Sequence, residues 1–132
     1  MDYDLLVKKA AEAKEKAYAP YSGFRVGAAV LTADGRIYTG CNVENSSFGA
    51  TICAERTAVV KAVSDGKTEI AAIAVTSDSE QYTFPCGICR QVISEFGSDE
   101  TKIICSNKNG QYKIYNLKDI LPHAFTGEDL KV

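Results

Sequence analysis

Two short segments of the chain carry cysteines at spacings that suit a metal ion. Cys86 and Cys89 are separated by two residues. Cys53 lies upstream, with Glu55 two positions after it. Zinc takes about four ligands, and thiolates bind it at ~2.3 Å. Three thiolates leave one position open for water, and a neighbouring carboxylate can accept the proton of that water and return it later. The spacing therefore predicts an open, catalytic zinc site with three cysteine ligands and Glu55 as proton carrier.

The charge of this site needs compensation. One Zn²⁺ with three thiolates sums to about −1, which weakens the effect of the metal on the acidity of water. Both cysteine segments are expected at helix N-termini, where the helix dipole favours anions. Arg56 and Arg90 each follow a site residue directly, and either could donate hydrogen bonds to the sulfurs. Arg56 is the preferred candidate.

A non-catalytic zinc or redox module is the alternative from another class of protein. A lone Cys-x-x-Cys is often a redox pair or half of a structural zinc site. A closed site would need Cys41 or Cys105 as its fourth ligand. Both lie in or beside predicted strands, where a buried cysteine is the commoner outcome. His123 is expected at the surface or in an interface.

Hydrophobic periodicity and turn residues predict alternating helices and strands around these segments. The best arrangement is a mixed five-stranded sheet with helices on both faces, a three-layer α/β/α fold in a single domain, residues 1–132. Lys108-Asn109-Gly110 is a turn, so the last two strands form an antiparallel hairpin. The predicted helices are 4–18, 53–63, 85–96 and 117–121, and the predicted strands are 24–32, 37–42, 70–76, 103–106 and 112–115.

Composition excludes several classes of function. The chain has 132 residues, and 15 Lys and Arg against 17 Asp and Glu give a net charge of −2, which disfavours a polynucleotide-binding protein. A single histidine excludes an HExxH metalloprotease and any zinc site of several histidines. Neither a signal peptide nor a membrane span is expected. Five cysteines then indicate a reducing, intracellular compartment.

The order Cys-x-Glu followed by Pro-Cys-x-x-Cys is the cysteine form of the zinc-deaminase signature. Beyond this signature the whole chain resembles the small, three-cysteine, homotetrameric cytidine deaminases of bacteria. The segments that carry the resemblance are Tyr18-Ala19-Pro20-Tyr21-Ser22, Phe24-Arg25-Val26-Gly27-Ala28-Ala29, Gly40-Cys41-Asn42-Val43-Glu44-Asn45-Ser46-Ser47, Cys53-Ala54-Glu55-Arg56-Thr57-Ala58, Cys86-Gly87-Ile88-Cys89-Arg90-Gln91 and Leu121-Pro122-His123-Ala124-Phe125.

The resemblance implies a cytidine deaminase-like fold and a hydrolase acting on cyclic amidines. Cytidine and 2′-deoxycytidine would be converted to uridine and 2′-deoxyuridine plus ammonia. The three cysteines would bind one Zn²⁺ per chain, and a zinc-bound hydroxide would attack C4. Glu55 would deprotonate the water, then protonate N3 and the departing amine. The resemblance also supports Arg56 as the residue that offsets the charge of the thiolates.

For the substrate, the resemblance implies that the Ala54 N–H binds the pyrimidine O2 and that Phe24 stacks near the base. Asn42 and Glu44 would bind the ribose 3′-hydroxyl. Phe125 would complete the pocket of a neighbouring subunit in a homotetramer with shared active sites. From the residues alone, Phe24 is equally well a core residue of a strand, and a polar turn is the favoured interpretation of Asn42 and Glu44.

The antiparallel hairpin also separates branches of the superfamily, because the deaminases that act on polynucleotides or tRNA place a helix at that point. A free nucleoside is therefore the expected substrate, with no nucleic acid or membrane as partner. The resemblance implies a cytoplasmic enzyme of pyrimidine salvage. A deaminase of another cytosine nucleoside, such as blasticidin S, remains the alternative within the enzyme class.

Overall fold

The structure is a computed structural model that describes residues 1–130, and its centre is a five-stranded mixed sheet. The strands are β1 (Val26–Thr32), β2 (Ile37–Cys41), β3 (Ile70–Ser77), β4 (Lys102–Ser106) and β5 (Tyr112–Asn116), in the spatial order β2-β1-β3-β4-β5. Strand β1 is antiparallel to both β2 and β3, while β3 and β4 are parallel. Strands β4 and β5 are antiparallel. The predicted mixed sheet and terminal antiparallel hairpin are confirmed.

Helices cover both faces of this sheet, as predicted for three layers. Helix α1 (Tyr3–Lys14) packs on one face. Helices α2 (Ala54–Ser64) and α3 (Gly87–Phe96) pack on the other. The short helix α4 (Leu117–Ile120) follows β5 directly. Successive strand residues serve opposite faces, as the period of two requires. The α1 face includes Ala29, Ala72, Ala74 and Ile104, and the α2 and α3 face includes Ala28, Val30, Ile73 and Ile103.

Helix α2 packs so closely on β2 that only glycine fits at position 40 of the strand. A Cβ atom on Gly40 would lie 2.5 Å from the Ala58 nitrogen and 2.8 Å from the Ala54 carbonyl oxygen. Both separations are shorter than van der Waals contact, so a larger residue would push the helix away from the sheet. Gly40 therefore fixes the first turns of α2, and with them the segment that carries Cys53 and Glu55.

The first helix is shorter than predicted. It was expected over residues 4–18 but ends at Lys14, because the chain after it pairs with a distant segment. The Tyr18 N–H donates to the Asn42 carbonyl at 3.0 Å, and the Glu44 N–H donates to the Tyr18 carbonyl at 2.8 Å. Residues 15–18 have helical composition, but this tertiary pairing overrides their local preference.

The first strand begins at Val26, whereas the prediction placed Phe24 within it. The backbone of Phe24 binds the side chains of Ser22 and Asn42 instead of a neighbouring strand. Between β2 and α2, where neither a helix nor a strand is predicted, the chain contains a short 3₁₀ helix, Phe48–Ala50. A second 3₁₀ helix, Gly127–Leu130, lies near the end of the described chain and was not predicted. The other boundaries agree with the predictions to within two residues.

Among residues 1–130 there is no helix with both the length and the apolar character needed to cross a bilayer.

Candidate active site

The three predicted ligand thiols lie together at the N-terminal ends of α2 and α3. Cys53 is the N-cap of α2, Cys86 is the N-cap of α3, and Cys89 lies in the first turn of α3. The Cys53 and Cys86 sulfurs are 3.7 Å apart, the Cys86 and Cys89 sulfurs are 3.3 Å apart, and all three lie within 4.8 Å of one another. Thiolates bound tetrahedrally to one zinc at ~2.3 Å would be roughly 3.8 Å apart. The donor set therefore fits zinc in both chemistry and spacing.

The environment of the cluster favours a bound cation. The pKa of Cys53 is lowered to about 5, mainly by a hydrogen bond from Cys89 and to a smaller extent by one from Arg56. The pKa of Cys89 is raised, first by that same hydrogen bond and then by burial. Three neighbouring thiolates repel one another unless a cation lies between them. A divalent metal removes this repulsion, and the two helix N-termini stabilise the remaining negative charge.

The two candidate arginines have different partners. Arg56 donates from its terminal nitrogen to the Cys53 sulfur at 3.6 Å and to the Thr51 carbonyl at 3.3 Å. Its Nε is buried without a hydrogen-bond partner. Arg90 instead donates to the Pro85 carbonyl at 2.7 Å and to the Ile120 carbonyl at 2.9 Å, which ties the start of α3 to α4. The geometry therefore distinguishes Arg56 as the cationic neighbour of the thiols.

Glu55 lies in the first turn of α2 and is only 4% exposed. On a regular helix, two residues correspond to a rotation of about 200°, which would direct Cys53 and Glu55 to opposite sides. Cys53 is the N-cap, however, and its backbone is extended (φ −71°, ψ 153°). Both side chains therefore line the same pocket. Burial raises the pKa of Glu55 to about 7, so this carboxyl group differs from the exposed acidic residues of the chain.

A pocket of about 220 Å³ opens beside the thiols. Two aromatic residues line it, Phe24 from the segment before β1 and Phe84 from the loop before α3. The complete lining is Phe24, Val26, Asn42, Thr51, Cys53, Ala54, Glu55, Thr83, Phe84 and Cys86. The structure thus brings Phe24, Asn42 and Ala54 to the predicted metal ligands and Glu55. The volume of this pocket is below the ~300 Å³ that is typical of the smallest ligand sites, so one chain encloses only part of a drug-sized molecule.

Two predicted substrate residues lie outside this pocket. Glu44 lines a second pocket of about 260 Å³, which shares Thr51 with the lining of the first. The Glu44 carboxylate accepts hydrogen bonds from the Tyr21 and Ser22 N–H groups at 2.9 and 3.1 Å and from the Ser22 hydroxyl. Phe125 is 58% exposed in the C-terminal segment, and its carbonyl accepts a hydrogen bond from Gln91 at 2.7 Å.

Thr51, Thr83 and Phe84 are pocket residues that the sequence did not single out. Phe84 had one available signal, because an aromatic residue stands two positions before the first cysteine of Cys-x-x-Cys. Its ring packs on Tyr115, with the centroids 5.3 Å apart, and remains 41% exposed at the pocket. The two threonines gave no signal, since isolated threonines before helices are common in loops and caps.

An α/β/α scaffold with three thiols and a buried carboxylate at two helix N-termini defines a zinc enzyme of the hydrolase type. A family model described as the "Cytidine and deoxycytidylate deaminase zinc-binding region" matches residues 2–105. The chain is 47% identical to a cytidine deaminase of Halalkalibacterium halodurans over 98% of both sequences, and 42% identical to one of Mycobacterium tuberculosis over 98% of this chain and 94% of that protein.

A crystal structure of a cytidine deaminase from Burkholderia pseudomallei superposes with a TM-score of 0.90, at 45% identity, over 95% of this chain and all of that one. The chain belongs to the cytidine and deoxycytidylate deaminase family. The predicted family, fold and zinc cofactor are confirmed.

Proposed function

We propose that this protein is a cytidine deaminase that hydrolyses cytidine and 2′-deoxycytidine to uridine and 2′-deoxyuridine, with release of ammonia. The observation that carries the proposal is the placement of buried Glu55 beside the three-thiol cluster in one pocket, with an aromatic residue at its wall. Relatives named cytidine deaminase align over nearly the full length of the chain, which supports the same substrate class here.

The reaction adds water to C4 of the base and removes the amine. Cys53, Cys86 and Cys89 would hold the zinc ion, which would supply the Lewis acidity that lowers the pKa of a water molecule toward neutrality. Glu55 accepts a proton from the attacking water and delivers it to N3. It then carries the remaining proton, from the new C4 hydroxyl, to the amine, and the C4–N bond breaks to release ammonia as the C4 carbonyl forms. Because Glu55 is buried beside the metal ligands, protons transfer within the pocket and not through bulk water.

Three residues of the same pocket bind the nucleoside in this proposal. Phe24 places its ring face near the flat base. The Ala54 N–H, at the start of α2, binds the pyrimidine O2, where the helix N-terminus favours a partially negative oxygen. The Asn42 amide already bonds the backbone of Val26 and Phe24 at 2.9 Å each. One Nδ2 hydrogen remains for the ribose 3′-hydroxyl, because an amide nitrogen carries two.

Glu44 and Phe125 complete the site in a homotetramer with shared pockets. Glu44 accepts a hydrogen bond from the ribose 3′-hydroxyl on the Thr51 side of the pocket, and Phe125 enters the pocket of a neighbouring subunit. The small volume of the pocket and the exposure of Tyr21 (55%), Phe48 (79%) and Phe125 support this proposal.

Sedimentation equilibrium tests the assembly. We expect a species of about four times the 14.2 kDa chain. A monomer that is fully active would remove the role assigned to Phe125.

We further propose that residues 1–132 form a single deaminase domain that acts in the cytoplasm, in pyrimidine salvage. All five cysteines are free thiols, which suits a reducing compartment. The acidic charge balance supports a free nucleoside, with no nucleic acid or membrane as partner.

The direct test is to incubate the purified protein with cytidine, 2′-deoxycytidine, cytosine and blasticidin S, and to measure deaminated product, ammonia and zinc content in the same sample. We expect uridine and 2′-deoxyuridine at about one zinc per chain. Preference for blasticidin S would replace the proposed substrate with the antibiotic. Zinc without any deaminated product would instead indicate either another amine-bearing substrate or a closed structural site.

A further inference from the structure

The backbone that carries Phe24 is fixed by side chains and not by the sheet. The Phe24 N–H donates to the Ser22 hydroxyl at 3.0 Å, and its carbonyl accepts from the Asn42 amide at 2.9 Å. The Val26 N–H donates to the same amide at 2.9 Å. These bonds hold the backbone on both sides of the Phe24 ring, so a shift of the partner groups also shifts the ring.

Arg25, between these residues, is bound by a carboxylate outside the pocket. Asp78 follows the last residue of β3 and accepts the Arg25 N–H at 3.1 Å. It also accepts two parallel hydrogen bonds from the guanidinium, from Nε and from one terminal nitrogen, each at 3.0 Å. The Asp78 N–H returns a bond to the Arg25 carbonyl at 3.2 Å. Backbone and side chain of Arg25 are therefore both attached to the end of β3.

Two further charges surround this pair. The Lys14 ammonium lies 3.3 Å from Asp78, and the third guanidinium nitrogen of Arg25 lies 3.0 Å from Glu15. Three segments thus meet at Asp78: the end of α1, the start of β1 and the end of β3. A forked guanidinium–carboxylate pair restricts orientation more strongly than a single contact does.

We infer that Asp78 is a positioning residue that sets the affinity for the nucleoside by fixing, through Arg25, the backbone of Phe24. The inference rests on the proposed function, because it assigns to Asp78 an effect on substrate binding at that same pocket. Asp78 lies outside the pocket lining and acts through its neighbours.

The expected signature is a change in KM with little change in kcat. A ring stacked on the base contacts it similarly in the bound substrate and in the transition state. Loss of such uniform binding raises KM and leaves kcat nearly constant. A global loss of structure would instead lower the active fraction and therefore the apparent kcat.

The test compares Asp78→Asn with Asp34→Asn. Asp34 is a matched control, because it lies at the opposite end of β1 and forms an ion pair with Lys67 at 2.7 Å. Hydrogen bonds from Lys67 and from Arg25 lower the pKa of Asp34 and of Asp78, respectively, to about 2, so both variants remove an ionised, paired carboxylate.

Asp78→Asn replaces one acceptor oxygen with an amide donor and breaks the fork. We expect KM for cytidine to rise about tenfold, with kcat within about twofold of wild type. The Asp34→Asn variant should keep both constants. Equal KM values in the two variants, or a loss of kcat at constant KM, would overturn the inference while leaving the proposed function intact.

Two additional measurements decide the question if Asp78→Asn folds poorly or if cytidine is not the substrate. Arg25→Lys keeps the positive charge but cannot form the two parallel hydrogen bonds. It should also raise KM, but by a smaller factor than Asp78→Asn does. Amide hydrogen exchange needs no substrate: Phe24 and Arg25 should exchange faster in Arg25→Lys and Asp78→Asn than in Asp34→Asn. Identical exchange at these amides in all variants contradicts the inference whatever the substrate is.

Discussion

Glu55→Gln is expected to lower kcat for cytidine by about 10⁴-fold, near the upper end for loss of a general acid–base group. The amide has the size of the carboxyl group and can form hydrogen bonds, but it cannot accept the proton of the attacking water. Substrate binding should change far less, because the aromatic wall and the α2 N-terminus remain in place. Zinc content should stay at about one per chain, since the three thiols are unaltered.

The measurement is steady-state uridine formation together with metal analysis of the same preparation. Glu95→Gln is the matched control, because Glu95 is an exposed carboxylate on α3 and its removal should leave kcat unchanged. Unfolding temperature provides a second check. A neutral amide replaces a buried acidic group, so the Glu55→Gln variant should be at least as stable as wild type. If it retains more than about a tenth of wild-type kcat, Glu55 is not the proton carrier.

The cysteine cluster could be predicted from the sequence because its geometry is mostly local. Cys86 and Cys89 share one helix start, so their spacing alone brings the two sulfurs together. The hairpin of β4 and β5 is equally local, since the five residues between these strands are too few for a parallel crossover. Only the approach of Cys53 required a correct tertiary arrangement, and the signature order of the two helix starts supplied it.

The strand order could not be derived in the same way. Periodicity indicates which face of a strand is buried, but it is the same for parallel and antiparallel neighbours. The placement of β1 between β2 and β3 therefore emerges only in the structure. The two arginines show a similar limit, because Arg56 and Arg90 both follow site residues. They differ only in what surrounds them: the Cys53 sulfur for one and two backbone carbonyls for the other.

Polar residues with several possible partners were the hardest to interpret from sequence. Asn42 and Glu44 are proposed to bind the ribose, and in the structure each also binds the backbone of the segment around Phe24. Asp78 carried no signal at all, because a lone aspartate after a strand is common in loops. These side chains hold the backbone of Phe24 at the pocket wall, whereas elsewhere in the fold the hydrogen bonds of the sheet hold the backbone in place. Their roles depend on long-range contacts that no local pattern encodes.

Zinc retention provides the second large effect. Cys89→Ser should reduce bound zinc from about one per chain to less than about 0.1, because a serine hydroxyl stays protonated and replaces a thiolate poorly. Cytidine deamination should fall with the metal. Cys41→Ser is the control, since the Cys41 thiol lies outside the cluster and donates to the Lys16 carbonyl at 3.4 Å, a bond that serine can also form. Equal zinc content in both variants would contradict the assignment of Cys89 as a ligand.

Arg56→Ala separates the charge of the site from its ligands. All three thiols remain, but the guanidinium beside Cys53 is removed, so the negative charge on the cluster is compensated only by the helix N-termini. Zinc should still bind, with a dissociation constant about 10- to 100-fold weaker in competition with a chelator, the range seen when a neighbour of a metal ligand is lost. Arg36→Ala, at an arginine that is 63% exposed near the β1–β2 turn, should not change it. If Arg56→Ala matches Arg36→Ala in zinc affinity, the two helix N-termini alone neutralise the thiolates, and the Arg56 guanidinium serves only to bind the Thr51 carbonyl.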